Sequence, residues 1–293
     1  MALDIIVTGG SGFLIKNLMN THPHYNWIAP TSKQVNWVTG EGIDTLPKHS
    51  DVVIHAAASN GGLVYCQNNA RDIIFNNAMI NARLFDWLTD HEHGKAIMIG
   101  SGCSYPSKVT GKFTEDQLGA GRMHSSVEAY GMSKLWALSS SEKLLHNWEQ
   151  LVLANMFGPH DHTSHERSHL VGALTVKIMR AKKENTDVQL LGTGIAIRDI
   201  IYIADVVDVI NNRINHTGTN RAVNVSNGEG ISVRELAMLI SDIAGYKGRI
   251  LWGTDKDDGA PYKVLDCSLL DELYPNRTRT AVRTAIEASI DYY

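Results

Sequence analysis

The chain has 293 residues and only three cysteines, Cys66, Cys103 and Cys267. They are odd in number and widely spaced, which excludes a disulfide framework or a paired-cysteine zinc site and fits a reducing cytoplasm. Excess basic charge is also missing: 27 Lys and Arg stand against 31 Asp and Glu, a net charge of -4. The bulk charge therefore gives no electrostatic ground for nucleic acid or an anionic membrane as a partner. No apolar run approaches the ~20 residues of a membrane span. The opening "MALDIIVTGG" has no basic stretch, and its apolar run is too short for a signal peptide. Internal repeats and low-complexity tracts are absent. What remains is 43% hydrophobic and 20% charged, the composition of a globular chain long enough for one large α/β unit or two smaller domains.

Short apolar runs alternate with stretches of helical periodicity. "LDIIVTGGSGFLIKNLM" reads as strand, turn and helix. "NWIAPTS" (26–32) and "DVVIHAAAS" (51–59) read as strands, the latter running into small residues. "ARDIIFNNAMINARLFDWLTDH" follows as a helix. "KAIMIGSG" is a further buried strand, "SSVEAYGMSKLWALSSSEKLLHNW" a long helix and "LVLANMFGP" (151–159) a strand ending in a turn. This alternation predicts an α/β fold, a doubly wound parallel sheet of Rossmann type. Beyond Gly158 the rhythm changes. A histidine-rich loop, "HDHTSHERSH", precedes the helix "LVGALTVKIMRAKKE", and Ser232 and Glu235 form a capping box with Gly245 as the C-terminal stop. The expected division is a cofactor domain over 1–155, rejoined by elements from about 187–212, and a smaller α/β substrate-binding domain over 156–293.

Three patterns carry chemistry. Gly9, Gly10, Ser11, Gly12 and Phe13 sit between the first strand and helix, where glycines admit a pyrophosphate to the helix N-terminus. An ordinary strand–helix turn would use the same glycines. The position directly after the first strand favours the dinucleotide reading, with Ala56, Ala57 and Ala58 at the neighbouring strand end. The third glycine of the pattern is missing. Ile15 stands there, and a branched residue must push the helix outward or be accommodated by smaller neighbours. Missing too is a carboxylate at the end of the second strand, where NAD would need one. Thr31, Ser32 and Lys33 offer hydroxyls and an ammonium instead, which favours the 2'-phosphate of NADP(H). The third pattern is Tyr130 and Lys134, four residues apart on one helix face. An ammonium there is expected to lower the tyrosine pKa and make it a usable acid. The clustered His160, His162 and His165 lack the spacing of a metal site, so no metal is expected.

These residues together resemble the extended short-chain dehydrogenase/reductase family over essentially the whole chain. The resemblance rests on "TGGSGF", "HAAAS", Ser101 before Tyr105, Tyr130 with Lys134, and "RDIIYIADVVD". Within the family, "GSGCSYP", "EAYGMSK", "FGPHD", "SHLVGAL" and "DDGAPYKVLD" are similar to the branch acting on GDP-linked 4-keto-6-deoxy-hexoses. The resemblance implies NADPH-dependent C4 keto reduction by Ser101, Tyr130 and Lys134, and C3/C5 epimerisation by Cys103 and His169. It implies a nucleotide-diphosphate sugar held by Asn155, Lys177, Arg198 and Lys263, with no nucleic acid or membrane partner. It also implies a homodimer formed through the stretches around 70–90 and 130–148. Departures touch the sugar and base more than the reductase core. Leu191 stands where a tryptophan is usual, Gly102 replaces a serine, and Ser59 and Asn60 replace a Lys-Val-like pair. The alternatives are a reductase or epimerase of another keto-deoxy nucleotide sugar, or an NADP-binding scaffold without catalysis.

Overall fold

The computed structural model describes residues 2–163, 168–254 and 258–293. Its elements run β1 (Asp4–Thr8), α1 (Phe13–Thr21), β2 (Asn26–Ile28), β3 (His49–His55), α2 (Leu63–Asn68), α3 (Ala70–Asp90), β4 (Glu92–Ser101), α4 (Glu128–Leu144) and β5 (Trp148–Leu153). The second half adds β6 (Asn155–Phe157), α5 (Leu170–Glu184), β7 (Val188–Leu190), β8 (Ile197–Tyr202), α6 (Ile203–Ile214), β9 (Ala222–Val225) and β10 (Gly230–Ser232). It ends with α7 (Val233–Ala244), β11 (Ile250–Trp252), β12 (Tyr262–Lys263), α8 (Ser268–Leu273) and α9 (Val282–Ser289).

Six parallel strands form the main sheet in the order β2-β1-β3-β4-β5-β9. The order reverses at β1, so a crevice opens beyond the C-terminal ends of β1 and β3. β1 shows why both faces of the sheet are covered. Its side chains alternate, and Ile5 and Val7 enter a core with α1 and α6, while Ile6 enters another with α3. Ile15 is absorbed into the first of these cores and is fully buried. The second strand is shorter than its sequence reads. It stops at Ile28, and Pro30, lacking an N–H, cannot extend the ladder.

Beyond β5 a smaller unit forms around β8, which pairs with β6 and β12 in parallel and with β10 antiparallel. A separate core of α5, α7 and α9 packs there, with β7 and β11 as a two-stranded ribbon. The capping box at Ser232 and Glu235 forms, and Gly245 ends α7 with φ +65°. The strand that rejoins the main sheet is β9, C-terminal to the 187–212 stretch expected to return. From that stretch α6 packs against α1, while β7 and β8 stay in the smaller unit.

One buried ion cluster closes the end of the sheet away from the crevice. Glu149 accepts from Lys95 Nζ at 2.5 Å and from Arg213 Nε at 3.2 Å, with side chains at most 4% exposed. Lys95 also donates to the carbonyls of Arg213 and His216. Removing the shared carboxylate leaves two cations unpaired in the interior. Glu149→Gln is expected to cost about 3–5 kcal/mol of unfolding free energy, read from urea midpoints. Unchanged midpoints would show that the cluster contributes nothing net.

Candidate active site

The crevice is built by glycines where no other residue fits. Gly9 has φ +75°, and a Cβ on it would lie 2.9 Å from the Ala57 nitrogen. A Cβ on Gly10 would lie 2.5 Å from the Ala29 carbonyl oxygen. These backbones touch, so the ends of β1, β2 and β3 close into one cradle. Gly12 N–H donates to Gly9 O at 2.9 Å, and Gly12 is the N-cap of α1. Ser11 is exposed at the loop tip, whereas the Phe13 side chain belongs to the core, leaving only its backbone for a ligand. Ala56, Ala57 and Ala58 are half-buried opposite. Ser32 and Lys33 are exposed just past β2, and the Thr31 hydroxyl is taken by Gln34 at 2.9 Å. A phosphate cradle with an ammonium and a hydroxyl at the second strand's end fits NADP(H).

The candidate catalytic groups gather at the end of β4. Ser101 ends the strand and caps a 3₁₀ turn over Gly102–Ser104, accepting from Cys103 N–H at 3.2 Å. That turn lies against α4 at Gly131, where a Cβ would be 2.5 Å from the Cys103 carbonyl oxygen. Cys103 packs with Cys66, Ile73 and Tyr130. On α4, the Lys134 ammonium lies 5.6 Å from the centre of the Tyr130 ring. Both residues are buried. Burial holds Lys134 down at about 8. Burial pushes the Tyr130 phenol up, and the thiols of Cys103 and Cys66 add to it. The sequence expectation of a lowered tyrosine pKa is thus reversed, chiefly because burial disfavours the phenolate. Tyr130 remains a protonated donor at neutral pH.

Arg198 and Lys263 are Cα partners in the parallel β8–β12 ladder, so both side chains stand on one face about 5 Å apart at the backbone. Arg198 is held by the carbonyls of Ile197 and Asp258 at 2.8 and 2.9 Å. Burial lowers the pKa of His124, and Lys263 and Arg198 lower it further, which brings a third nitrogen base to this cluster. Burial lowers the pKa of Arg198, and Asp258 and then Cys103 oppose that shift. Sequence spacing gave no sign of His124, which lies in an irregular loop.

His169 is the N-cap of α5 and bonds Asp161 through Nδ1 at 2.9 Å. Asp161, fully buried at its side chain, also accepts from Tyr293 Oη at 3.2 Å. Neither partner was visible in the sequence, although Asp161 lies inside the quoted "FGPHD". The Asn155 amide is committed to the Asp199 carbonyl at 2.8 Å. Lys177 lies on α5 about 12 Å along the axis from His169, with its pKa lowered by burial. Leu191 is exposed. Among the described residues no cluster of three or more metal-ligating side chains occurs, and no helix is long and apolar enough to cross a membrane. His165 lies outside the described residues.

Comparison with known proteins agrees with this geometry. A GDP-L-colitose synthase of Yersinia pseudotuberculosis is 28% identical over 281 residues, covering 92% of this chain and 91% of the relative. A GDP-6-OMe-4-keto-L-xylo-heptose reductase from C. jejuni has the same fold, with TM-score 0.91, 20% identity and coverage of 100% and 97%. A GDP-L-fucose synthetase from Naegleria fowleri, solved bound to NADP, superposes with TM-score 0.87 at 23% identity, covering 100% and 94%. The pattern of the NAD dependent epimerase/dehydratase family matches residues 5–226. With its glycine cradle, its Tyr130/Lys134 pair and this match over most of its length, the chain belongs to the NAD dependent epimerase/dehydratase family, within the extended short-chain dehydrogenases/reductases.

Proposed function

We propose that the chain is an NADPH-dependent epimerase/reductase that converts GDP-4-keto-6-deoxy-mannose to GDP-L-fucose, the reaction of a GDP-L-fucose synthase. The observation that carries this reading is the joining of two chemistries at one strand end. Ser101, Tyr130 and Lys134 form a carbonyl-reducing set, and Cys103 sits two residues past Ser101 in the same turn. Bound NADPH supplies hydride for C4. Tyr130 Oη gives its proton to the C4 oxygen, and Ser101 Oγ hydrogen-bonds that oxygen. Lys134 holds the nicotinamide ribose. For epimerisation, the C4 carbonyl acidifies the C–H bonds at C3 and C5. Cys103 and His169 act as the pair that removes a proton from one face and returns one to the other. Arg198 and Lys263 neutralise the diphosphate. The Ile15 substitution does not argue for an inert scaffold, since the core takes up that side chain.

The same reductase core acting on a different GDP-linked keto sugar is the second reading. It is favoured by Leu191 at the expected base platform, 55% exposed, and by the colitose and heptose substrates named for similar proteins. Product analysis in D2O separates the two. With NADPH and GDP-4-keto-6-deoxy-mannose, the expected product is GDP-L-fucose carrying deuterium at C3 and C5. Reduction without deuterium would retire the epimerase half, and no turnover would favour the second reading.

The pH dependence follows from Lys134. Its folded pKa is lowered to about 8, so the ammonium is present at neutral pH and lost as pH rises through that value. C4 reduction is expected to be flat from pH 6 to 7 and to fall about tenfold per unit well above pH 8. A kcat profile that stays level to pH 10 would remove Lys134 from the step.

We also propose a homodimer through α3 and α4. Ile74, Phe75 and Met79 on α3, and Met132 and Trp136 on α4, are exposed, and they recur at helical spacing on two helices that pack together. A second copy of the same pair would cover them. Sedimentation of the paired Phe75→Glu/Met132→Glu variant is expected to show monomers where the parent shows dimers. A monomeric parent would end the proposal.

A further inference from the structure

Resting on the epimerase reading above, we infer that Asp161 is the positioning residue for His169, fixing its tautomer and aiming Nε2 at the sugar, with Tyr293 locking the carboxylate from behind. His169 occupies the N-cap of α5, yet its side chain makes no capping hydrogen bond. The ring is turned instead to Asp161, with Nδ1 2.9 Å from Oδ1. A carboxylate can only accept, so Nδ1 must carry a proton, and the exchangeable site is Nε2. Among the described residues no protein group bonds Nε2, and the side chain is 31% exposed while that of Asp161 is at 0%. The ring thus has one buried end that is held and one open end that is free.

The carboxylate is placed to serve this ring. Among the described residues no lysine or arginine forms an ion pair with it, and His169 is its charged partner when protonated. Its other bonds come from neutral donors. His162 N–H reaches Oδ1 at 2.8 Å and Tyr293 Oη reaches Oδ2 at 3.2 Å. Tyr293 Oη is itself anchored, accepting from Gly158 N–H at 3.0 Å, and its one proton lies between Asp161 Oδ2 and the Gly158 carbonyl oxygen at 3.3 Å. The packing leaves no slack. A Cβ on Gly172 would lie 3.2 Å from Asp161 Oδ2 and 2.8 Å from the Tyr293 ring. A buried carboxylate with no lysine or arginine partner among the described residues is costly to keep for stability alone. It is well suited to stabilise an imidazolium that appears when Nε2 takes a proton from C3 or C5. In that step the C–H bond breaks, its electron pair moves into the C4 carbonyl to form the enolate, the proton goes to Nε2, and the Cys103 thiol gives its proton to the carbon on the opposite face.

The test separates orientation from mere structure. Variants Asp161→Asn, Tyr293→Phe, His169→Ala and the Asp161→Asn/His169→Ala pair are read in two assays. One is deuterium entry at C3 and C5. The other is oxidation of GDP-L-fucose by NADP+, which needs no epimerisation. Asp161→Asn can present an N–H to Nδ1 and force the opposite tautomer. It is expected to slow deuterium entry about 100-fold or more, while oxidation stays within about twofold. In the His169→Ala background it should add nothing. Tyr293→Phe should slow exchange by less, about tenfold. Nitrogen-15 NMR of the imidazoles, with no substrate, should show a Nδ1–H tautomer for His169 that is lost in Asp161→Asn. Equal loss in both assays, a further loss on top of His169→Ala, or a Nε2–H tautomer in the parent would overturn the assignment. A Nδ1–H tautomer with no deuterium entry in the parent would retire the epimerase reading, and with it this role for Asp161.

Discussion

A single buried hydrogen-bond chain ties the cofactor cradle to the catalytic helix. Thr8 Oγ1 accepts from the Ala56 and Ala57 N–H groups at 3.1 and 3.0 Å. Both lone pairs are spent, so its proton goes to His55 Nδ1, 2.8 Å away. His55 must then carry its proton on Nε2, which faces Asn81 Oδ1 at 3.3 Å, and the Asn81 amide donates to the Ser133 carbonyl at 2.9 Å. From Thr8 onward every donor points the same way, from β1 through β3 and α3 into α4. The chain works only if His55 is neutral. Burial, followed by the nearby Lys134 charge, holds it at about 3, so the ring is neutral at physiological pH. Tyr130 and Lys134 flank the residue that receives this last bond.

Position and acidity are thereby set by the same burial. Enclosing α4 against β4 takes both the phenol and the ammonium out of water, and each responds by favouring its neutral form. For the tyrosine that is the useful state in a reduction, because the phenol is the donor. For the lysine it is a cost, tolerable because about 8 still leaves the ammonium charged at neutral pH. Two groups that repel or attract in isolation are thus tuned chiefly by the enclosure they share.

Much of this was legible in the sequence for a physical reason. Strand ends, the glycine turn and the four-residue spacing of Tyr130 and Lys134 are local, and local geometry follows from local residues. The sign of the Tyr130 shift was not local. It depends on how deeply α4 is buried, which four residues of spacing cannot report. The pairing of Arg198 with Lys263 was visible only as two basic residues in similar motifs; their register across β8 and β12 is a tertiary fact. Asp161 and Tyr293 meet across 132 residues, and nothing in either neighbourhood marks the contact. Ile15 looked like a defect because the glycine it replaces usually eases helix–strand packing. A core that includes α6 as well as α1 takes up the branched side chain.

At the seam between the two units lies β8, a strand whose neighbouring residues face opposite ways. On β8, Arg198 stands beside its ladder partner Lys263, and Asp199 is turned the other way, into the seam between the sheets. There Asp199 Oδ2 accepts from the Ser226 hydroxyl and from Leu265 N–H at 3.0 Å, just past β9 and β12. Its carbonyl accepts from Asn155 on β6. Burial pushes Asp199 up to about 6, the cost of a carboxylate kept dry for its geometry. Because β9 belongs to the main sheet and β8 does not, this seam sets the distance between the catalytic turn and the cation pair. In the proposed reading a sugar nucleotide would span that distance, its diphosphate on Arg198 and Lys263 and its carbonyl at Tyr130. On that reading the reach of the substrate would be measured by Asp199, whose bonds go to Ser226, Leu265 and Asn155 rather than to either end of it.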